Sequence, residues 1–278
     1  MKPKEIESLE IDIFLDAVNK RYGYDFQNYA PASLKRRIGN QMKNKSCEHI
    51  SDLLSLVIHD EGVFDDLLKE LSITVTEMFR DPGFFVAVRE KVFPTLKTYP
   101  FLKIWHAGCA TGEEVYSMAI LLEEADLLSK TQIYATDFNN HSLEFSRKAI
   151  YSKNNIQKYI KNYNEVKGKT SFSNYYHANY GHAKLVDSLK ENITFANHNL
   201  VSDGVFGEMH LIVCRNVLIY FNKELQNRVL KVFSDSLIQR GFLCLRSKES
   251  IEFLKEKPAF EDVNKTQRIF RKKLKDKN

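Results

Sequence analysis

The chain has 278 residues, of which 43% are hydrophobic and 28% are charged. This composition excludes an intrinsically disordered chain, and a content of 11 Gly and 6 Pro excludes a collagen-like one. With 41 Lys and Arg residues against 36 Asp and Glu residues, the charge does not by itself point to nucleic acid.

Neither membrane insertion nor secretion is expected. No uncharged apolar stretch approaches the roughly 18 to 20 residues of a membrane span, and the first residues lack the apolar core of a secretion signal. The four cysteines include no Cys-x-x-Cys pair, which predicts reduced thiols and no metal site. We therefore expect a cytoplasmic protein in which Cys109 and Cys214 are buried thiols rather than reactive ones.

The first part of the chain has a helical pattern. From residue 6 to residue 71 apolar residues recur at helical spacing, with breaks at Gly23, Pro31 and Gly62, which predicts a small bundle of short helices. Its second helix has a basic polar face. The sequence leaves open whether this face is merely solvated or binds a partner. Its cations are Lys35, Arg36, Lys43 and Lys45.

From residue 102 onward short apolar runs alternate with helical stretches, which predicts strand–helix units and a mainly parallel sheet. The predicted strands are 102–107, 132–136, 192–196, 209–214 and 242–245. The predicted helices are 115–125, 142–149 and 223–238. A polar stretch rich in Tyr and Asn, between residues 151 and 191, predicts an inserted subdomain. The final basic cluster, residues 271–273, is interpreted as a solvated tail.

Glycines and carboxylates follow the first two predicted strands. The turn from Gly108 to Gly112 lets a ligand approach the backbone, although such a turn is often only structural. Glu113 and Glu114 would repel a pyrophosphate and attract an ammonium group or ribose hydroxyls. Asp137 ends the second strand, where nucleotide-binding folds bind ribose, although it could instead cap the next helix. Together these features favour S-adenosylmethionine over NAD.

A later predicted strand also ends in polar groups. Arg215 and Asn216 follow it directly, and Tyr220 and Phe221 come a few residues further on. Because ligands of open α/β sheets bind outside the carboxyl ends of the strands, we expect Arg215, Asn216 and Tyr220 to face one crevice. The alternative is that the two aromatic residues are simply part of the core.

Several motifs in a fixed order resemble the CheR family, the chemotaxis receptor protein-glutamate methyltransferases. The resemblance covers nearly the whole chain and includes the helical region at 24–29 and 33–38. The motifs are SITVTEMFRD at 72–81, WHAGCATGEEVYS at 105–117, ATD at 135–137, HNL at 198–200 and CRNVLIYF at 214–221.

The resemblance implies an α/β protein with three parts. Residues 1–85 would be a small all-helical N-terminal domain with its linker. Residues 86–278 would be a Rossmann-like class I S-adenosylmethionine methyltransferase domain, with a small β subdomain inserted at about 151–192. Its implied activity is methyl transfer from S-adenosylmethionine to glutamate side chains of chemoreceptors, which gives methyl esters and S-adenosylhomocysteine.

The resemblance also implies roles for individual residues. Arg80 and Tyr220 would be catalytic, with Arg80 orienting a carboxylate and Tyr220 lying beside the transferred methyl group. Arg80 could otherwise be an ordinary surface arginine, and Glu113 is the alternative to Glu114. The implied cofactor contacts are Thr74, Thr76, Arg80, Glu114, Asp137, Asn199, Leu200, Arg215 and Asn216.

The implied partners are the acidic cytoplasmic helices of chemoreceptors, which the N-terminal domain would meet. In some family members the inserted subdomain holds a receptor's C-terminal peptide by strand addition. No nucleic acid is expected. The implied docking residues are Lys35, Arg36, Arg37 and Lys43.

The chain departs from the family at three places. It has Thr74 where the family has Asn, Val115 where many members have Pro, and Arg246-Ser-Lys-Glu249 where the family has Gly-His-Ser-Glu. Two other functions therefore stay open. One is a methyltransferase acting on another protein or on a small molecule. The other is a cofactor-binding module that docks on receptors without turnover.

Overall fold

A computed structural model describes residues 2–71 and 76–274. Thr74, which the family resemblance assigns to the cofactor, lies outside the described residues. The chain forms two compact units, one comprising Met1–Ile73 and Ile219–Arg228, the other Thr74–Leu218 and Val229–Asn278. The domain bounds 1–85 and 86–278 stay a prediction. Among the described residues, no helix combines the length and apolar character that a membrane span needs.

The first unit is helical, as the apolar spacing predicts. Pro31 starts the second helix, where its missing N–H costs nothing, and Gly23 ends the first with φ +77°. Asp52 accepts the His49 backbone N–H at 2.8 Å and so caps the third. The helices are α1 (Pro3–Tyr22), α2 (Pro31–Asn44), α3 (Ile50–His59) and α4 (Glu61–Leu71).

The second unit is built on a seven-stranded sheet in the order β6-β2-β1-β7-β8-β10-β9. The first five strands in this order are parallel, and β10 is antiparallel to both of its neighbours. Ile104 of β1 lies opposite Ile133 on one side and Leu211 on the other. The strands are β1 (Leu102–Ala107), β2 (Thr131–Asp137), β6 (Ile193–Asn197), β7 (Met209–Val213), β8 (Leu237–Cys244), β9 (Phe260–Asn264) and β10 (Ile269–Lys272).

The helices and the strand–helix alternation of this unit confirm the predicted α/β class. Cys109 and Cys214 are buried, as predicted, and this burial raises the pKa of both thiols well above the usual range. The helices are α5 (Pro82–Ala87), α6 (Phe93–Leu96), α7 (Glu113–Glu124), α8 (Asn140–Lys148), α9 (Lys153–Val166) and α10 (Lys223–Ser236), of which α10 begins in the helical unit.

The inserted segment is a helix with a small sheet, which confirms the predicted β subdomain. It comprises α9 and a three-stranded antiparallel sheet of order β3-β5-β4, in which β4 is an edge. Tyr180, at the turn between β4 and β5, is 94% exposed. These strands are β3 (Ile150–Ser152), β4 (Tyr176–Asn179) and β5 (His182–Leu185).

The prediction of a solvated basic tail is wrong for Arg271 and Lys272, which lie in β10. Lys272 is buried, and its Nζ donates to the carbonyl oxygens of Ser234 and Leu237 at 2.6 and 2.7 Å, which offsets the cost of burying the charge. Arg271 donates from Nε to the Arg240 carbonyl at 3.1 Å. Backbone carbonyl oxygens therefore accept hydrogen bonds from two cations that the basic sequence pattern had predicted to lie in solvent.

Candidate active site

The carboxyl ends of four neighbouring strands, β6, β2, β1 and β7, supply most of the predicted site. Strands β2 and β6 lie on one side of β1 in the sheet, and β7 and β8 lie on its other side. The direction in which successive strands are added therefore reverses at β1. Ligands of open α/β sheets bind at this point. It brings together the glycine turn after β1, Asp137 at the end of β2, Asn199 after β6 and Arg215 after β7.

The glycine turn depends on its glycines. Gly108 and Gly112 have φ of +78° and +89°, which other residues rarely adopt. A Cβ on Gly108 would lie 2.5 Å from Cγ2 of Val217, in the segment that follows β7. A Cβ on Gly112 would lie 3.0 Å from Oγ of Ser146. The turn therefore packs its backbone directly against α8 and the β7 segment.

Asp137 ties the second strand to the glycine turn. Its Oδ2 accepts the Ala110 N–H at 2.9 Å, and its Oδ1 accepts the Asn139 N–H at 2.9 Å. Asp137 is not the cap of α8, because Asn139 fills that place by accepting from His141 and Ser142. Burial raises the pKa of Asp137, although the backbone N–H groups act against this. The ribose contact of Asp137 stays a prediction.

Glu114 and Arg215 form the charged centre of the site. Arg215 donates from Nη1 to Glu114 at 2.9 Å and from Nη2 to Asp81 at 2.7 Å, and its guanidinium lies 4.1 Å from the ring centre of Phe84. His106 Nδ1 lies 3.2 Å from the other Glu114 oxygen. Burial acts to raise the pKa of Glu114, but His106 and Arg215 more than offset it and the pKa is lowered.

The two adjacent glutamates have different surroundings. Glu113 is 4% exposed and accepts hydrogen bonds from Thr111 Oγ1 at 2.6 Å and from Tyr159 OH at 3.1 Å. Burial raises the pKa of Glu113, the opposite direction from Glu114. The Glu114 side chain is 20% exposed and holds its charge. This contrast favours Glu114 as the carboxylate that would meet a cationic ligand.

Arg246, part of the departure from the family pattern, joins this centre. Its Nε lies 3.2 Å from the Asp81 oxygen that Arg215 also contacts. Asp81 is therefore shared by two guanidinium groups. No sequence pattern places Asp81 beside Arg215, because that contact joins elements 134 residues apart in the chain. His106 lies only eight residues before Glu114, and the path of the turn between them brings the two side chains together.

The segment before α5 presents Arg80 in a strained backbone. Phe79 and Asp81 have φ of 54° and 58°, and Phe79 is fully buried. Ser117 Oγ accepts the Phe79 N–H at 2.8 Å, which holds this conformation. The Arg80 carbonyl accepts from Arg215 at 3.4 Å, so the segment adjoins the charged centre. Thr76 and Arg80 are both half-buried.

The remaining predicted contacts lie after β6 and β7. Asn199 accepts the Val201 N–H at 3.0 Å and donates its own N–H to Asp203 at 2.8 Å, while Leu200 is buried. Asn216 follows β7 with φ of 67° and is half-buried. Their contacts to a cofactor stay predictions.

The inserted segment supports the site from outside the sheet. Tyr151 OH donates to the Thr111 carbonyl at 2.9 Å, and Tyr159 OH donates to Glu113 at 3.1 Å. On the same helix, Lys158 pairs with Glu77 at 2.5 Å. The segment therefore holds both the glycine turn and the residues next to Arg80. Polar, tyrosine-rich composition predicted a subdomain here but not this contact.

Tyr220 belongs to the helical unit, unlike the other described residues that are assigned to catalysis or to the cofactor. Within that unit the Arg37 guanidinium lies 5.1 Å from the Tyr220 ring centre. Arg37 is 4% exposed, and its Nη1 donates to the carbonyl oxygens of Leu71, at 2.9 Å, and Glu70. The prediction that Arg37 is a surface docking residue is therefore wrong. The Arg37 guanidinium instead binds backbone carbonyl groups at the end of α4, inside the helical unit.

The other predicted docking residues lie on the surface of α2. Lys35, Arg36 and Lys43 are exposed, and Lys35 pairs with Glu7 at 2.6 Å. Lys45 is half-buried and pairs with Asp66 at 2.9 Å. Within residues 2–71 and 76–274, no group of His, Cys, Asp or Glu side chains is arranged to hold a metal ion.

Comparison with known proteins gives two family matches and several relatives. Residues 74–269 match the CheR methyltransferase SAM-binding domain, and residues 9–72 match the CheR methyltransferase all-alpha domain. The chain is 52% identical to a methyltransferase named Cher3 from Pseudomonas putida, over 95% of this chain and 97% of that one. It is 31% identical to chemotaxis protein methyltransferase 1 of Vibrio cholerae, over 75% and 77% of the two chains. It is 28% identical to the chemotaxis protein methyltransferase of Listeria innocua, over 88% and 92%.

Proposed function

The chain belongs to the CheR methyltransferase family, and from this premise we propose that it methylates glutamate side chains of chemoreceptors with S-adenosylmethionine. The match to the family's SAM-binding domain, residues 74–269, covers the residues assigned to catalysis and to the cofactor, including Tyr220. The match to the all-alpha domain, residues 9–72, covers the docking residues of α2. Relatives named as chemotaxis protein methyltransferases support the receptor as the substrate.

The observation that carries this proposal is the placing of Glu114 at the start of α7, the helix that follows β1, beside Asp137 at the end of the adjoining parallel strand β2. The Glu114 carboxylate holds its charge and is partly exposed, which suits the ammonium group and the positive sulfur of S-adenosylmethionine. Asp137 lies where related folds bind ribose hydroxyls. The left-handed glycines leave backbone without side chains beside both. The residues present therefore fit this cofactor.

The acceptor needs no general base in this proposal. A glutamate with a reference pKa of about 4.3 is already ionised at neutral pH. When bound, the cofactor would supply a methyl group on a positively charged sulfur. Transfer would join the acceptor's carboxylate oxygen to that methyl carbon and leave the electron pair of the broken carbon–sulfur bond on sulfur, so no residue of the site would need to take up a proton.

The protein's own part would then be alignment and exclusion of water. Attack requires the carboxylate oxygen in line with the methyl carbon and the sulfur, with the reacting atoms about 3 to 3.5 Å apart. Arg80 is suited to hold a carboxylate by two parallel hydrogen bonds. Tyr220 would line the surroundings of the methyl group, and we assign it no proton transfer. A drier site would strengthen the acceptor as a nucleophile.

We propose that the receptor docks on α2 and that methylation takes place in the cytoplasm, where the receptors' methylated helices lie. Arg36 and Lys43 are exposed cations on one helix, which would attract an acidic helix and speed its association. The revised docking set is therefore Lys35, Arg36 and Lys43, without the buried Arg37.

A receptor C-terminal peptide is the second partner that we propose. Strand β4 is the edge of the inserted sheet, and its residues are mostly exposed, so an extended peptide could add beside it. A synthetic peptide of a receptor's last residues should bind in titration calorimetry, and a peptide with N-methylated backbone amides should not. Equal binding of the two peptides would contradict strand addition.

The decisive experiment for the function uses purified protein, S-adenosylmethionine labelled on the methyl group, and a receptor cytoplasmic fragment. Glutamate methyl esters release volatile labelled methanol in base, and this is the expected result. Label on the receptor that base does not release would indicate a different methyltransferase. S-adenosylhomocysteine binding without any transfer would indicate a docking module.

A further inference from the structure

Glu249 is a buried carboxylate whose hydrogen bonds all go to backbone N–H groups. The side chain is 3% exposed in the folded chain. Its Oε1 accepts from Val217 at 3.0 Å and from Leu218 at 2.9 Å. Its Oε2 accepts from Asn216 at 3.2 Å and from Arg246 at 2.8 Å. One side chain therefore joins the turn after β7 to the turn after β8.

The turn after β7 presents its backbone N–H groups to this carboxylate. Asn216 has φ of 67°, and the N–H groups of three successive residues from Asn216 to Leu218 converge on Glu249. Successive N–H groups that converge in this way form a concave site for negative charge. Each buried N–H left without a partner would cost about 1 to 3 kcal/mol. Glu249 supplies the charge from within the chain.

The same turn carries two features of the cofactor site. Asn216 is one of the implied cofactor contacts, and Arg215, the residue before it, holds Glu114 and Asp81. Val217 fills the space where Gly108 would have a side chain. A displacement of this turn would therefore reach both Asn216 and the glycine turn.

We propose that Glu249 is a positioning residue for S-adenosylmethionine, which holds residues 216–218 so that Asn216 meets the cofactor and Val217 packs against Gly108. This inference rests on the proposed function, because it needs the site to bind that cofactor. Glu249 itself touches none of the reacting atoms in this arrangement. Its effect is transmitted through the backbone of the turn.

The test compares two buried residues of the same unit. Glu249→Gln keeps the shape but turns an NH₂ group towards two of the four N–H donors. Lys272→Met, the control, removes hydrogen bonds to the Ser234 and Leu237 carbonyls at the amino end of β8, away from the strand ends that form the site. Affinity for S-adenosylhomocysteine is measured by calorimetry, well below the unfolding midpoint of each variant.

We expect Glu249→Gln to weaken S-adenosylhomocysteine binding by roughly tenfold to a hundredfold, the range seen when the orienting partner of a metal ligand is removed. We expect Lys272→Met to lower the unfolding midpoint and leave affinity within about twofold of wild type. Folded Glu249→Gln with wild-type affinity would overturn the positioning role.

Two complications are a variant that does not fold and a wild-type protein that does not bind the ligand. If Glu249→Gln does not fold, Glu249→Asp takes its place, since it keeps the charge but is one methylene too short to reach all four donors. Unchanged affinity in folded Glu249→Asp would then overturn the proposal. If wild-type protein does not bind S-adenosylhomocysteine, the proposed function fails and the positioning role with it, whereas an unaffected variant beside a binding wild type overturns the positioning role alone.

Discussion

Gly108 and Val217 share one space, since a Cβ on Gly108 would lie 2.5 Å from Cγ2 of Val217. Gly108→Ala should therefore lower the free energy of unfolding by about 2 to 3 kcal/mol, through this overlap and the φ of +78°. Adding Val217→Ala should restore part of the loss by removing the overlapping methyl group. Urea unfolding of the two single variants and the double variant measures this, and strictly additive losses would contradict the shared space.

Arg215→Met should be strongly destabilising. The Arg215 side chain is 3% exposed, and its removal leaves Glu114 and Asp81 without their main partner. Removing one member of a fully buried pair costs about 3 to 5 kcal/mol. Because Glu114 and Asp81 are partly exposed, we expect a loss of about 2 kcal/mol, measured by urea unfolding. Lys231→Met is the control, because it breaks a pair with Asp235 whose side chains are 58% and 44% exposed, and we expect no measurable change. Equal losses in both variants would mean that burial does not matter here.

Asp137→Ala should weaken S-adenosylhomocysteine binding at least tenfold in calorimetry. The variant loses the proposed ribose contact, and the Ala110 N–H loses its acceptor. Thr131→Val, at the other end of the same strand, removes a buried hydrogen bond to the Leu127 carbonyl at 2.7 Å and should leave affinity intact. An unchanged dissociation constant in Asp137→Ala would remove Asp137 from the site.

Reversing charge on α2 should slow receptor methylation and leave S-adenosylhomocysteine affinity unchanged. The variant Arg36→Glu with Lys43→Glu replaces two exposed cations, so association with an acidic helix should slow several-fold at low salt and less at high salt. Lys91→Glu with Lys161→Glu makes the same change in net charge at exposed positions of the second unit. Equal slowing by both pairs would show that only net charge matters, not α2.

Acid should destabilise the protein partly through His198. Burial lowers the pKa of His198, although Asp203 opposes this, while the unfolded chain takes up a proton below about pH 6.5. Stability therefore falls as pH drops through about 6.5, by up to about 1.4 kcal/mol for each unit between the two pKa values. His198→Phe, which can keep ring contacts with Trp105 and Phe206, should reduce the fall in unfolding midpoint between about pH 7.5 and pH 5.5. Burial also lowers the pKa of His210, and because wild type and the His198→Phe variant both contain His210, its contribution is the same in both. An identical fall in both would exclude His198 as a source.

Much of the fold followed from local pattern. Strand β1 has the bounds that were predicted, because a short apolar run between breaking residues leaves little freedom. Strands β9 and β10 were missed, since charged residues interrupt the apolar pattern in both short strands, although the two form a local hairpin. Arg37 was predicted to lie on the surface, although the helical spacing of α2 indicates that it is buried. It lies three residues after Leu34 and next to Ile38, on the face that both bury.

The site was less accessible to sequence reasoning than the fold. The glycine turn and Asp137 could be predicted because strand ends mark binding sites in α/β folds. The Asp81, His106 and Arg246 contacts could not, since each depends on how close two elements approach. Glu249 stood at the end of the altered Arg246-Ser-Lys-Glu segment, and only its four backbone partners give it a role.

The hydroxyls of Tyr151 and Tyr159, which donate to Thr111 and Glu113, tie the inserted segment to the glycine turn. A chimera that exchanged residues 150–185 between relatives would exchange two supports of the turn as well as an outer surface. Such a chimera would need tyrosines at both places to keep its glycine turn in shape. Substitutions in the exposed turn at Tyr180 would leave both hydrogen bonds in place, whereas substitutions on the inner face of the segment would remove support from the glycine turn.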